Sequence, residues 1–378
     1  MQLNNARVLF AAHYCAPYEG NFISSLIYLE SKLKERYSAE CAYLFPAKML
    51  EQPWAEEFRK KHTCFYSTGE GDSKKLITGQ EADDVLTDFH PTLIHTHFEG
   101  YDIPLYEAVK RSERKIRQVW HMRDTLTFQK NPLKSIYQCL CYFRHYGLPM
   151  LTTSLPPCIA AVHRHETDFI RKFRLGKSIT ETIIHNGVDL SRFRKHEKTQ
   201  DTPFTFLAFG GRNIQKRIDL LFEAGEILDR QGITFNLIIT KGVDTNAIAE
   251  KHFKGNIPAW LRLIDQMSDL NRFFDLGDCF VVTSVHETFC NAIIEATESG
   301  LPVIRSDIQG TEWSKNIPGI LTFRSLDVNA LVDSMKKIMF MSQSLIDANN
   351  EKAREIVLKE YSMETWASRM IQYFLSIP

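Results

Sequence analysis

Neither sign of charge prevails along this chain of 378 residues, where 46 lysines and arginines balance 46 aspartates and glutamates. A balanced chain has no global field with which to gather nucleic acid, so any cationic site on it has to be local. Long apolar runs are missing as well: no stretch approaches the roughly eighteen residues that a bilayer-spanning helix needs. The early run Val8 to Ala12 is shorter than a signal-peptide core and reads as a first strand. The expectation is a protein that works in the cytoplasm. Cysteine occurs at positions 15, 41, 64, 139, 141, 158, 279 and 290, and only Cys139 and Cys141 are close together. With no CxxC repeat and no histidines at zinc-finger spacing, disulfide-framed and zinc-finger scaffolds are excluded, and reduced, mostly buried thiols remain. Asp-x-Asp is also absent. Asp83-Asp84 falls in a polar helical stretch, so no acidic pair is in place to hold a metal-bound diphosphate.

What is present is the composition of a folded globular chain, with 44% hydrophobic and 24% charged residues. The length suits two domains better than one core. Short apolar runs alternate with helix-length segments: Arg7 to Ala12, Ala42 to Phe45, Thr92 to His95, Arg117 to Trp120, Cys158 to Val162 and Thr182 to His185. After a polar stretch from Arg192 to Asp201, the rhythm restarts with Phe204 to Phe209, Phe235 to Thr240, Leu261 to Ile264, Cys279 to Val282 and Leu301 to Ile304. That alternation predicts two open α/β layers with parallel sheets, each Rossmann-like. The boundaries expected are 1–195, completed by 362–378, and 196–361. Ligands of such sheets bind outside the carboxyl ends of the strands, so function should map to strand-end loops around a cleft.

Two windows carry the chemistry. In Phe209-Gly-Gly-Arg-Asn-Ile-Gln-Lys216, glycines follow a strand and two cations follow the glycines. Such a loop can turn tightly and meet a diphosphate whose charge grows as it leaves. In the second window, the strand Cys279 to Val282 delivers Glu287, a helix starts near Asn291, and Glu295 lies about one turn inside it. Free N–H groups at a helix start favour phosphate, and nearby carboxylates suit the hydroxyls of a sugar or ribose. On spacing alone, the same two glutamates also read as an ordinary helix-start acid and a solvated helical residue.

The second window, Glu287-Thr-Phe-Cys-Asn-Ala-Ile-Ile-Glu295 followed by Gly300-Leu-Pro-Val-Ile304, resembles the E-x7-E donor signature of the family-4 retaining glycosyltransferases of GT-B fold, the glycosyl transferases group 1 type. Cys290 stands where that family has glycine, a change that adds a side chain where backbone should approach a sugar phosphate. The resemblance extends to the segment from Phe209 to Asp219, to Asn186-Gly-Val-Asp189 at the end of the first half, and to the final helix from Tyr361 onward. In the first half, Gly20 is the one glycine of the turn after the first strand. His95-Thr-His97 resembles the segment after the fourth strand, and Trp120-His121 a later strand end where the family places a histidine facing the sugar.

The resemblance implies two Rossmann-like domains facing each other across a cleft, with a last helix crossing back to the first. It also implies a nucleotide-sugar donor, most commonly a UDP-sugar, and a glycan or lipid-linked acceptor. By match, Lys216 and Arg212 would hold the diphosphate, Glu287 the sugar and Glu295 the ribose, with His121 completing the catalytic set and Gly20, Gly211, Phe289, Cys290 and Asn291 lining the donor. Neither a metal nor another cofactor is expected, the two cations taking the place of Mg²⁺. Aromatic and basic residues between Leu133 and Pro149 fit a packed helix or a peripheral face against the inner membrane surface. An epimerase on the same fold, or a non-catalytic partner subunit, stays open as an alternative.

Overall fold

The structure, a computed structural model, describes residues 2–69, 76–98, 100–123, 158–164, 180–197 and 203–378. The segment 133–149, with Cys139 and Cys141, lies outside the described residues. Two compact units are present, one comprising 1–187 and 363–378, the other 188–362.

In the first unit, strands β1 (Arg7–Ala12), β2 (Glu40–Pro46), β3 (Thr63–Ser67), β4 (Leu93–His97), β5 (Arg117–Met122), β6 (Cys158–Ala161) and β7 (Thr180–Ile183) form one sheet in the order 3-2-1-4-5-6-7. Every pairing is parallel. β1 is buried almost throughout, as expected of a central strand covered on both faces. Val8 and Phe10 face a core that includes Trp366, Met370 and Phe374 of the last helix, Met363–Ser376. Leu9 and Ala11 face the opposite core with Leu86, Ile94 and Leu105. The last helix is fixed further by the Tyr373 hydroxyl, which donates to the Ile159 carbonyl at 3.0 Å. Return of the chain end to the first unit is therefore a matter of apolar burial.

The second unit repeats the design with β8 (Thr205–Phe209), β9 (Asn236–Thr240), β10 (Leu261–Ile264), β11 (Cys279–Val282), β12 (Val303–Ser306) and β13 (Ile320–Phe323) in the order 10-9-8-11-12-13. All its pairings are parallel too. One face packs Phe206, Leu237, Ile239 and Val281 against Leu221 and Leu331 of the helices Asp219–Arg230 and Val328–Met339. Strand order reverses between β1 and β4 in one sheet and between β8 and β11 in the other. These are the switch points at which open α/β sheets bind ligands.

Two expectations need correcting. The units divide at Gly187/Val188 and not at 195/196, because the polar stretch already has partners in the second unit. Val188 donates to the Tyr361 carbonyl at 2.8 Å, Phe193 packs on Phe274, and Arg194 pairs with Asp275. Likewise, β4 does not end at His95: the ladder to β1 and β5 runs through to His97, opposite Ala12 and His121, so His97 lies within the strand and not after it. Among the described residues no helix is long and apolar enough to cross a membrane.

Candidate functional site

At the second switch point, the loops after β8 and β9 touch backbone to backbone. A Cβ on Gly242 would come within 2.2 Å of the Gly211 nitrogen, and one on Gly210 within 2.0 Å of the Thr240 carbonyl oxygen. Asp244 then accepts from the Asn213 N–H at 3.0 Å, which starts the short helix Asn213–Lys216. The loop after β11 is tied to this helix. Thr283 Oγ1 donates to the Lys216 carbonyl at 2.8 Å, the Val285 N–H to the Gln215 carbonyl at 2.9 Å, and Gln215 Nε2 to the His286 carbonyl at 3.2 Å.

These ties bring Lys216 and Glu287 together. Lys216 Nζ lies 2.6 Å from Glu287 Oε1, and Ser284 Oγ donates to the same oxygen at 2.7 Å. Glu287 is nearly covered, at 11% side-chain exposure, whereas Lys216 keeps 29% and so an open side for a ligand. Burial pulls the Lys216 ammonium down, but the Glu287 carboxylate outweighs it and the net shift is upward, so the lysine stays charged. A narrow pocket beside the pair is lined by Phe209, Lys216, Thr283, Ser284, Cys290 and Ala292. Gly211 lies against the stem of Lys216, where a Cβ would approach Cγ at 2.9 Å. Arg212 is exposed and makes no side-chain hydrogen bond or ion pair among the described residues, which leaves its guanidinium available.

Cys290 precedes the helix Asn291–Glu298 at φ −81°, ψ 87°, so a side chain there causes no left-handed backbone strain. Its thiol is buried and pushed up to about 12, first by desolvation and then by Glu287, so it is a neutral thiol beside the pair. Asn291 opens the helix with its N–H on the Phe289 carbonyl at 3.0 Å. The Phe289 ring is stacked on Trp313 at 4.7 Å and 21°, and what it can present to a ligand is backbone.

Glu295 lies one turn into the helix and is half-buried. Desolvation pushes its carboxyl up to about 7, with Arg192 opposing. A carboxyl raised in the folded state stabilises most when protonated: its contribution is whole below the ordinary value of 4.5 and is lost as pH rises through about 7. Glu295→Gln should remove that loss. The variant's melting temperature is expected to exceed that of the parent at pH 8 and to converge with it near pH 4.5, and parallel curves across this range would show a carboxyl that is not desolvated.

Sequence reasoning missed three residues. Ser284, three before Glu287, orients the carboxylate; the Ser-x-x-Glu spacing was the available signal. Gly310 backs directly on Glu287, a Cβ there falling 1.9 Å from the Glu287 carbonyl oxygen. Arg305 is fully buried and holds the Gly310 loop by donating to Thr311 Oγ1 and the Ser306 carbonyl, each at 3.1 Å.

In the first unit, Gly20 begins the helix Gly20–Tyr37 at φ +59°, a conformation that favours glycine. His121 sits in β5 directly opposite His97, and its Nδ1 is 3.1 Å from His95 Nε2. All three imidazoles are buried and held neutral, their pKa values well below the usual one. Desolvation is the main cause, and the nearby Arg123 cation adds to it. Gly20 and His121 thus belong to the first unit, and Lys216, Arg212, Glu287 and Glu295 to the second.

Two all-parallel sheets of this order, with an anion-compatible strand-to-helix loop at the second switch point, define a Rossmann-like chain of the GT-B class. Residues 203–340, within the second unit, match the family described as glycosyl transferases group 1. A Komagataeibacter xylinus protein, GDP-mannose:cellobiosyl-diphosphopolyprenol alpha-mannosyltransferase, is 32% identical over 157 residues, which are 40% of this chain and only 38% of that relative's length. Over the whole chain, the fold matches Anabaena HepE, solved with UDP and glucose, at a TM-score of 0.74 and 15% identity, covering 98% of this chain and all (100%) of that one. It also matches a glycosyltransferase of Rickettsia africae at a TM-score of 0.77 and 14% identity, covering 99% and 100%. Both likenesses establish the GT-B fold.

Proposed function

We propose that this chain is a metal-independent, retaining glycosyltransferase that moves a sugar from a nucleoside-diphosphate sugar to a glycan or lipid-linked acceptor. The setting read for it is bacterial surface polysaccharide or glycoconjugate synthesis at the cytoplasmic membrane face. The observation that carries the reading is the pairing of Lys216 with Glu287 at the switch point of the second sheet, at the start of the helix that holds Glu295. A diphosphate offers Lys216 more negative charge than one carboxylate does. As Lys216 turns to it, Glu287 is released to accept from a sugar hydroxyl while Ser284 keeps it in place. Arg212 supplies the second cation, and Glu295 meets the ribose.

In the transfer, the acceptor oxygen bonds to the anomeric carbon as the bond from that carbon to the diphosphate oxygen breaks. The leaving diphosphate takes the acceptor's proton on the same face, and the cations stabilise the charge it gains. His121 contacts the sugar. UDP-sugar is the first reading of the donor; the Komagataeibacter relative, named for GDP-mannose, favours GDP-mannose as a second. Thermal shift with UDP-, GDP- and ADP-sugars decides between them, since a ligand bound by the folded chain alone raises its melting temperature. One nucleotide class should raise it with a dose response, and no rise with any of them would contradict nucleotide-sugar binding.

A further inference from the structure

Residues 283–290 lie between β11 and the helix Asn291–Glu298 and belong to neither, so the place of Glu287 is set by loop contacts and not by a ladder. Before Glu287, Thr283 and Val285 are tied to the helix Asn213–Lys216. After it, Phe289 carries a buried ring that lies on Trp313 at 4.7 Å and 21°. Tyr361, the last residue of the helix Gln343–Tyr361, closes against both, 4.7 Å from the Trp313 ring and 6.0 Å from that of Phe289. Aromatic pairs at these separations attract beyond the area they bury. One flank of Glu287 is therefore held by hydrogen bonds and the other by rings.

Trp313 differs from the other two rings in what its polar edge does. It lies half-buried on the 3₁₀ turn Gln309–Ser314, and its indole Nε1–H donates to the Gly310 carbonyl at 3.1 Å. Gly310 is the residue whose missing side chain admits Glu287: a Cβ there would fall 1.9 Å from the Glu287 carbonyl oxygen and 2.9 Å from the Glu287 Cβ. Trp313 thus meets the Glu287 loop twice, by its ring two residues after the carboxylate and by its N–H through the glycine behind it. Filling a core needs neither a flat face nor a donor, and indole has a single donor to spend.

We propose that Trp313 is a positioning residue for Glu287: its ring fixes Phe289, its Nε1–H fixes Gly310, and together they hold the carboxylate against Lys216. The grip of Glu287 on a donor sugar rests on the function proposed above, whereas its place beside Lys216 does not, and the experiment separates them. Burial lowers the Lys216 ammonium and Glu287 raises it, so a displaced Glu287 leaves more free amine at a given pH. In the full chain without ligand, acetylation by acetic anhydride, resolved by mass spectrometry, should mark Lys216 about tenfold faster in Trp313→Leu than in the parent, the order of one lost hydrogen bond. Lys241, paired with Asp265 in the same unit, should be marked at the parental rate. Trp313→Phe keeps a ring but not the N–H and should fall between. In equilibrium binding, the affinity for UDP-glucose relative to UDP, or for GDP-mannose relative to GDP, should fall about tenfold in Trp313→Leu, while the free nucleotide binds at least as tightly as to the parent. An unchanged rate at Lys216 in Trp313→Leu would overturn the assignment, and so would a common rise at Lys216 and Lys241, the mark of general loosening. Faster marking of Lys216 alone, with no sugar nucleotide bound by the parent, would keep Trp313 in this role and remove the donor reading.

Discussion

Lys216→Ala is expected to lower kcat/KM by about 10²–10³-fold, the usual cost of deleting one preorganised group that stabilises transition-state charge. The loss should exceed that of Arg212→Ala, because Lys216 is held by its neighbours and Arg212 is exposed and unpaired among the described residues. Removing the ammonium also leaves Glu287 with Ser284 as its remaining side-chain partner, a bare carboxylate beside the site meant for an anion. Lys216→Arg should rescue poorly, since a planar fork does not replace a point charge 2.6 Å from one carboxylate oxygen. Initial rates across donor concentration, with a melting curve to confirm folding, give the comparison. Near-normal turnover in Lys216→Ala would remove the lysine from the mechanism.

Gly310→Ala should damage the site from behind. The added carbon would lie 1.9 Å from the carbonyl oxygen of Glu287 and 2.4 Å from its carbonyl carbon, and neither atom belongs to a side chain that can swing aside. The loops must separate, at about 1–3 kcal/mol for an overpacked contact. A shift of about 1 Å in Glu287 would cost on the order of 10²-fold in turnover. Gly79→Ala is the control. Its Cβ would meet only the tip of Arg111 at 3.6 Å, and its activity should be parental. Equal activity in Gly310→Ala would mean that the position of Glu287 does not matter to the reaction.

Central strands were legible because burial on both faces leaves continuous apolar runs; β1 and β11 follow their predicted limits, and the edge strand β10 does so too. β3 and β13, also at sheet edges, escaped notice because partly covered residues interrupt their apolar pattern: Thr63 and Thr322 are exposed. In the site, Lys216 and Glu287 could be read because each follows its own strand closely. The demand on Gly310 could not, since it arises from backbone approach between two loops. The link from His95 to His121 depends on strand register, which one sequence does not reveal. At Cys290 the backbone lies at φ −81°, outside the left-handed region, so the departure from the family glycine adds no backbone strain.

Transfer with retention is the central claim, and the anomeric proton of the product tests it most directly. A donor that raises the melting temperature would be incubated with a panel of glycan and lipid-linked acceptors, and the anomeric coupling of the new linkage in the product read by ¹H NMR. The account predicts a new glycosidic bond with the donor's anomeric configuration, formed in the presence of a chelator. An inverted linkage, a need for added divalent metal, or epimerised donor in the absence of acceptor would contradict it.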